Sequence, residues 1–337
     1  MSTLSGGQFN LDNPLVRLSK DLKAAAILLS DEEARYLVDS YYQLQKIRVA
    51  QGNQVGSMER AKLKDAVPPE EAELAHEEAI LEEQDKKAKK EPHSVLDWFV
   101  LNAQNLEGQM KRALDSYSDS RVEGRWAKTM VGIGPVIAAG LMAHIDMNPW
   151  SCALRNDKEM EACTEKEPHP NGLCGRKPLL YAGQIWNFAG IGDPLRTWEK
   201  GQRRPWNAKL KTLTWKIGQS FLKQSTRPNC YYGHLLRQRW EILKTQNERK
   251  DFAVAAAAKL EKFKIGKSTD AYKAYIQGFL PPAHVLQRAC RYATKIFLSH
   301  YHCVAYKATF GKDAALPYAI AVLGHKDYLP IPNPPAE

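Results

Sequence analysis

Apolar residues recur along most of this chain at the three- and four-residue steps of a helix, not at the alternating step of a strand. The clearest case runs through residues 94–117. Leu96, Phe99, Ala103, Leu106, Met110, Ala113 and Tyr117 form an a/d seam over three heptads. Such a seam needs a partner helix, from this chain or from a second copy. The preceding segment offers one. Ser30 and Glu33 have the spacing of a capping box, and Leu37, Tyr41 and Leu44 follow at helical spacing, predicting a helix over about 31–51. The stretch "QGNQVGS" is expected to interrupt it. Residues 58–91 are helical in composition and heavily charged, with "VPPEE" as a break. The run "EEAELAHEEAILEEQDKKAKK" passes from acidic to basic, the order that suits a helix dipole. An antiparallel coiled coil between the 31–51/58–91 region and the 94–117 helix is the favoured pairing. The same surfaces also suit a dimer, or one face of a helical bundle.

The second half reads as a compact helical domain. Trp206, Leu210, Leu213, Ile217 and Phe221 fall within a narrow arc of one helix. Leu286, Cys290, Ala293, Phe297, His300 and Val304 do the same in another, whose start Pro281 and Pro282 mark. No alternating β-branched run forces a sheet. The expected fold is therefore mainly α. Residues 1–29 form a partly ordered N-terminal segment, 30–124 long helices with a coiled coil, and 125–337 a helical domain. That domain carries a hydrophilic Cys-containing loop over 150–178 and a Pro-rich, irregular tail, "YLPIPNPPAE".

Charge sharpens this picture. The chain carries a net +10, and residues 180–250 hold fourteen Lys/Arg against four Asp/Glu, so this segment accounts for the whole excess. A focused basic segment with aromatic residues interleaved favours a polyanion partner, because neutralising phosphates releases condensed counterions. No apolar run reaches the ~18 residues needed to span a bilayer, and the N-terminus lacks the apolar region of a secretory signal. A cytoplasmic protein with no membrane partner is expected, its six cysteines reduced or metal-bound.

Three stretches bear on chemistry. Gly132-Ile133-Gly134-Pro135 stands at the entrance of an apolar helix, where exposed backbone N–H groups can clamp a phosphate or simply make a tight turn. It is neither a P-loop nor a dinucleotide fingerprint. In "RTWEKGQRRPWNAKLKTLTWK", Arg196, Lys200, Arg203 and Arg204 precede a helix in which Lys209, Lys216 and Lys223 repeat every seven residues. Lys211 lies in the same basic run. These are the candidate phosphate contacts. Trp206 is expected to support the loop, Asn207 to cap the helix or meet a base, and Trp215, on the solvent side, to stack on one. Finally, Cys152, Cys163, His169 and Cys174 sit in one hydrophilic loop and can hold zinc tetrahedrally, although no C-x-x-C knuckle is present. Cys290 and His300 read as core. No nucleophile elbow, zincin motif or clustered Asp pair appears.

Several segments together resemble a known family. "WAKTMVGIGPVIAAGLMAHID", "GQIWNFAGIGDP", "WEKGQRRPWNAKLKTLTWKIGQSF" and "YAIAVLGHKDYLPIP" are similar to the C-terminal portion of the bridge-RNA-guided insertion-sequence transposases. They resemble more closely the Tas proteins of the TIGR-Tas systems, which are related to the Nop domain of box C/D ribonucleoproteins. The resemblance covers about residues 95–330. The transposases begin with a RuvC-like domain bearing acidic metal ligands, and no such strand-Asp pattern stands here. They also place a nucleophilic Ser before a Gly in the loop ahead of the basic helix, where this chain has Trp198-Glu199-Lys200-Gly201. The nuclease-free type of Tas protein therefore fits best. The resemblance implies a helical Nop-like domain with a coiled coil, a homodimer, and a structured guide RNA that pairs with target DNA. Two rival readings stand beside it. One is a transposase or recombinase, for which Ser220 and Ser225 are available hydroxyls; the other is a DNA-binding protein that uses no guide.

Overall fold

The computed structural model describes residues 20–65, 94–152, 174–193, 198–316 and 329–335. The described residues are mainly helical, and their contacts divide the chain between Ser116 and Tyr117, eight residues before the expected boundary at 124.

In the first unit a short helix α1 (Lys20–Ala25) and a single 3-10 turn (Ala26–Leu28) lead into α2 (Asp31–Asp65). The predicted capping box is complete. The Glu33 carboxylate accepts from the Ser30 N–H at 2.8 Å and from its hydroxyl at 2.7 Å, while the Glu33 N–H donates to Ser30 Oγ at 3.2 Å. Contrary to expectation, "QGNQVGS" does not break the helix, which runs 35 residues without interruption. A glycine such as Gly52 costs only about 1 kcal/mol against Ala in a helix, and the stretch holds no proline to remove a hydrogen bond. The "VPPEE" break and the acidic-to-basic run fall in 66–93, outside the described residues.

The predicted helix over 94–117 is α3 (Ser94–Asp119). A polar cluster links it to α2. Glu107 accepts from Arg48 Nε at 2.6 Å and from Gln45 Nε2 at 3.3 Å, and the Tyr41 hydroxyl donates to the same carboxylate. The seam is covered unevenly: Met110 and Ala113 are half-buried and Tyr117 buried, whereas Leu96, Phe99 and Leu106 are exposed.

The second unit begins with the last turn of α3, where the Tyr117 hydroxyl accepts from Nη2 of Arg121, the residue that caps the next helix, at 2.7 Å. There follow α4 (Val122–Thr129), α5 (Pro135–His144), a two-stranded antiparallel hairpin of β1 (Trp150–Cys152) and β2 (Cys174–Arg176), and α6 (Ala182–Phe188). Then come α7 (Ala208–Gln224), α8 (Tyr231–Glu248), α9 (Ala253–Lys262), α10 (Asp270–Ile276) and the 29-residue α11 (Pro282–Phe310).

Helix α11 is the axis of this unit, and α4, α6, α7 and α8 pack on it. It starts as predicted, with Pro281 at the cap and Pro282 in the first turn, where the missing N–H costs nothing. It stops at Gly311, which takes the left-handed φ of 66° and donates back to the Lys307 carbonyl. Phe297 joins four helices: it stacks on Trp126 at 5.7 Å and meets Phe221 and Tyr232 edge-on at 5.5 and 5.2 Å.

Of the predicted core positions, Cys290, Ala293, Phe297, His300 and Val304 are buried and Leu286 is half-buried. His300 is satisfied on both sides. Its Nε2 lies 3.0 Å from the Leu329 carbonyl, which can only accept, so Nε2 carries the proton. Nδ1 then accepts from the Tyr232 hydroxyl at 2.8 Å. The Pro-rich tail is irregular over 329–335, as expected, but anchored: the Trp126 indole N–H reaches the Pro332 carbonyl at 3.0 Å and the Tyr231 hydroxyl reaches that of Pro330. Among the described residues no helix is long and apolar enough to cross a membrane.

Candidate nucleic-acid interface

The basic stretch singled out in the sequence becomes the entrance and exposed face of α7. Asn207 is its N-cap: Oδ1 accepts from the Lys209 and Leu210 N–H groups, both at 3.0 Å, and Nδ2 lies 3.3 Å from His144 Nδ1. Of the two roles expected for Asn207, capping is the one its side chain fills. Leu210, Leu213, Ile217 and Phe221 are buried as predicted.

Trp206 does support the loop. Its Cγ and Cδ2 lie against Gly190, which has a φ of 67° and where a Cβ would stand 2.6 Å from the ring. Lys211 Nζ sits 3.8 Å from the ring centre. The Asn207 N–H donates to the Phe188 carbonyl, tying the end of α6 to the start of α7. Ahead of them, Trp198 donates its indole N–H to the Gln202 carbonyl at 2.6 Å, and the Arg204 guanidinium stands 4.8 Å over its ring.

These residues enclose an open cleft of about 370 Å³, lined by Trp198, Arg204, Trp206, Lys211, Thr212 and Trp215. At about 100° per residue, Lys211 and Trp215 fall on one flank of the buried arc of α7, whereas Lys209, Lys216 and Lys223 fall on the other. The predicted lysine stripe is therefore real but lies away from the cleft, and Lys211 supplies the helix's contribution to it. Lys200, Arg203 and Arg204 are exposed in the preceding loop. Arg196 lies outside the described residues.

Sequence reasoning missed the residues that complete this face. Arg288, Arg291 and Lys295 stand on α11 at the i, i+3, i+7 spacing of one stripe, which was the available signal. Arg291 is the hub. Burial first, then Arg291 and Arg204, holds the Lys211 ammonium pKa below its usual value. Arg288 is lowered by burial, Arg291 and Arg239, and Lys295 by burial and Arg291. His284 is pushed down to about 4 by burial, Lys259, Arg288 and Arg291. Among the described residues no carboxylate pairs with Lys211, Arg288 or Arg291. Like charges held together without a counter-ion cost free energy, which a polyanion relieves.

The remaining candidates lie elsewhere. Gly132 takes a φ of 101° in a tight turn against the far end of α7, where its carbonyl accepts from Ser220 Oγ at 2.6 Å. Gly134 caps α5, with Pro135 in the first turn. Nine residues of helix, roughly 13 Å, separate Lys211 from Ser220, so the structure does not bring the glycines to the cleft. Ser225 Oγ donates to the Leu222 carbonyl and accepts from Arg237 Nε, so both serines serve as structural links. Cys152 and Cys174 face each other across the hairpin. Cys163 and His169 lie outside the described residues. Among the described residues no three His, Cys, Asp or Glu side chains gather to hold a metal ion.

Compared with known protein families, with curated proteins and with solved structures, the chain shows no match.

Proposed function

We propose that this protein is an RNA-guided DNA-binding protein without a nuclease of its own, its second unit a Nop-like domain. A structured guide RNA is held on the face formed by the α7 entrance and α11, and target DNA is read by pairing with that guide. The observation that supports this best is the array around Arg291: cations from the loop, α7, α8 and α11 converge without carboxylate partners beside an aromatic cleft. Such a surface grips backbone phosphates without regard to sequence. Specificity then rests on base pairing, as in other guided systems. The family resemblance adds the guide, the target DNA and the homodimer. The protein works in the cytoplasm on this reading.

Sequencing the RNA that co-purifies with the protein from its native genetic context tests it. Discrete short RNAs with repeated structural elements are expected. Random host RNA, or none, overturns the guided reading. Tight duplex-DNA binding by the RNA-free protein would instead favour a DNA-binding protein without a guide, and covalent protein–DNA intermediates a recombinase.

A further inference from the structure

The three tryptophans of the cleft are not equivalent. Trp206 is held between Gly190 and Lys211. Trp198 is tied down through its indole N–H and covered by Arg204. Trp215 is 58% exposed, the only one of the three in the open, and among the described residues no ring or cation covers it. A large aromatic side chain left bare on a rigid helix costs solvation and gains nothing within the unit. The cleft beside it, about 370 Å³, stands at the low end of the ~300–1,000 Å³ of small-ligand pockets. A single nucleotide fits such a volume. Arg204 and Lys211 stand on its walls, so a cationic ligand is repelled and an anionic one with a flat apolar body is suited.

Resting on the nucleic-acid reading above, we propose that this cleft is a binding site for a single unpaired nucleotide. Its base stacks on Trp215 while Arg204 and Lys211 hold the adjoining phosphate. Paired bases present only their edges to a protein, so the base must be splayed out of any helix to reach the indole face. The protein thus reads one unpaired position in its RNA, in addition to gripping backbone.

The test uses the full chain and two unstructured ribo-oligonucleotides of about twelve nucleotides, within the ~4–16 of known single-strand sites. One carries its bases, of mixed sequence. The other has the same phosphates with every base replaced by hydrogen. The wild type is expected to bind the base-bearing strand about tenfold or more tightly, the scale of one aromatic stack. Trp215→Ala abolishes that gap and keeps the affinity for the baseless strand, which also shows that the variant is folded; Trp215→Phe retains the gap. Equal affinity of the wild type for both strands overturns the proposal and leaves the phosphate-binding reading standing. A gap that survives in Trp215→Ala also overturns it. Failure of the wild type to bind either strand overturns both.

Discussion

The Lys211 ammonium nitrogen lies 3.8 Å from the centre of the Trp206 ring. The contact ties a loop tryptophan to the first turn of the helix that it precedes, and Gly190 locks the indole from the loop after α6. Trp206→Ala should therefore cost stability as well as function. Full burial of a Trp is worth about 3–5 kcal/mol on truncation to Ala. For this half-buried ring we expect about 2 kcal/mol, or roughly 4–8 °C in a thermal melt. An unchanged melting temperature would mean that Trp206 does not organise the loop.

Arg291→Glu should separate binding from stability. Arg291 is exposed and depresses the neighbouring Lys211, Arg288 and Lys295. Replacing it with an acid removes repulsion, so the melting temperature should hold or rise. RNA affinity should fall, with the slope of log K against log salt shallower by about one. Binding measured across a salt series, beside a melt of the same preparation, checks both.

Acid should unfold the second unit in part through histidine. His284 is depressed from 6.5 to about 4 by burial and nearby cations, and His300 is lowered by burial. A histidine whose folded pKa lies below its unfolded value binds fewer protons when folded. The stability it supplies is complete above 6.5 and lost as pH falls towards 4. His284→Asn should flatten the fall in stability across that window, as followed by urea melts at several pH values.

In the first unit, Glu107 raises the Tyr41 phenol. Burial, then the hydrogen bond and charge of Glu107, pushes Tyr41 up to about 12. Glu107→Gln removes the charge and leaves the burial, so Tyr41 should titrate lower than in the wild type and still above 10. Ultraviolet titration against a Tyr41→Phe control reads this directly.

The features legible in the sequence are those set by neighbours along the chain. The Ser30–Glu33 box, the prolines opening α11, the buried arcs of α7 and α11 and the exposed Trp215 all follow from local spacing and appear as expected. The exception is "QGNQVGS": its glycines suggest a break, but the helix around them is long enough to absorb their cost. Features that depend on which helices meet were not legible. Lys211 rather than Lys209 or Lys216 lines the cleft because α7 buries one arc and leaves two flanks, and only packing decides which flank faces the loop. Arg291 acts at a distance of eighty residues from Lys211 in the chain, so no local pattern couples them. The anchoring of the proline-rich tail depends on carbonyls, which a sequence displays identically at every position.

That anchoring has a consequence for how the protein is made. The Trp126 indole hydrogen bond to Pro332 spans 206 positions, and His300 finds its second partner at Leu329. Translation proceeds from the N-terminus, and closing so long a loop is slow. On the ribosome the Phe297 cluster can collapse once α11 has emerged. Its two buried polar groups, the Trp126 indole and the His300 imidazole, must wait until residues 329–332 have been made, so the core collapses before its polar groups are satisfied.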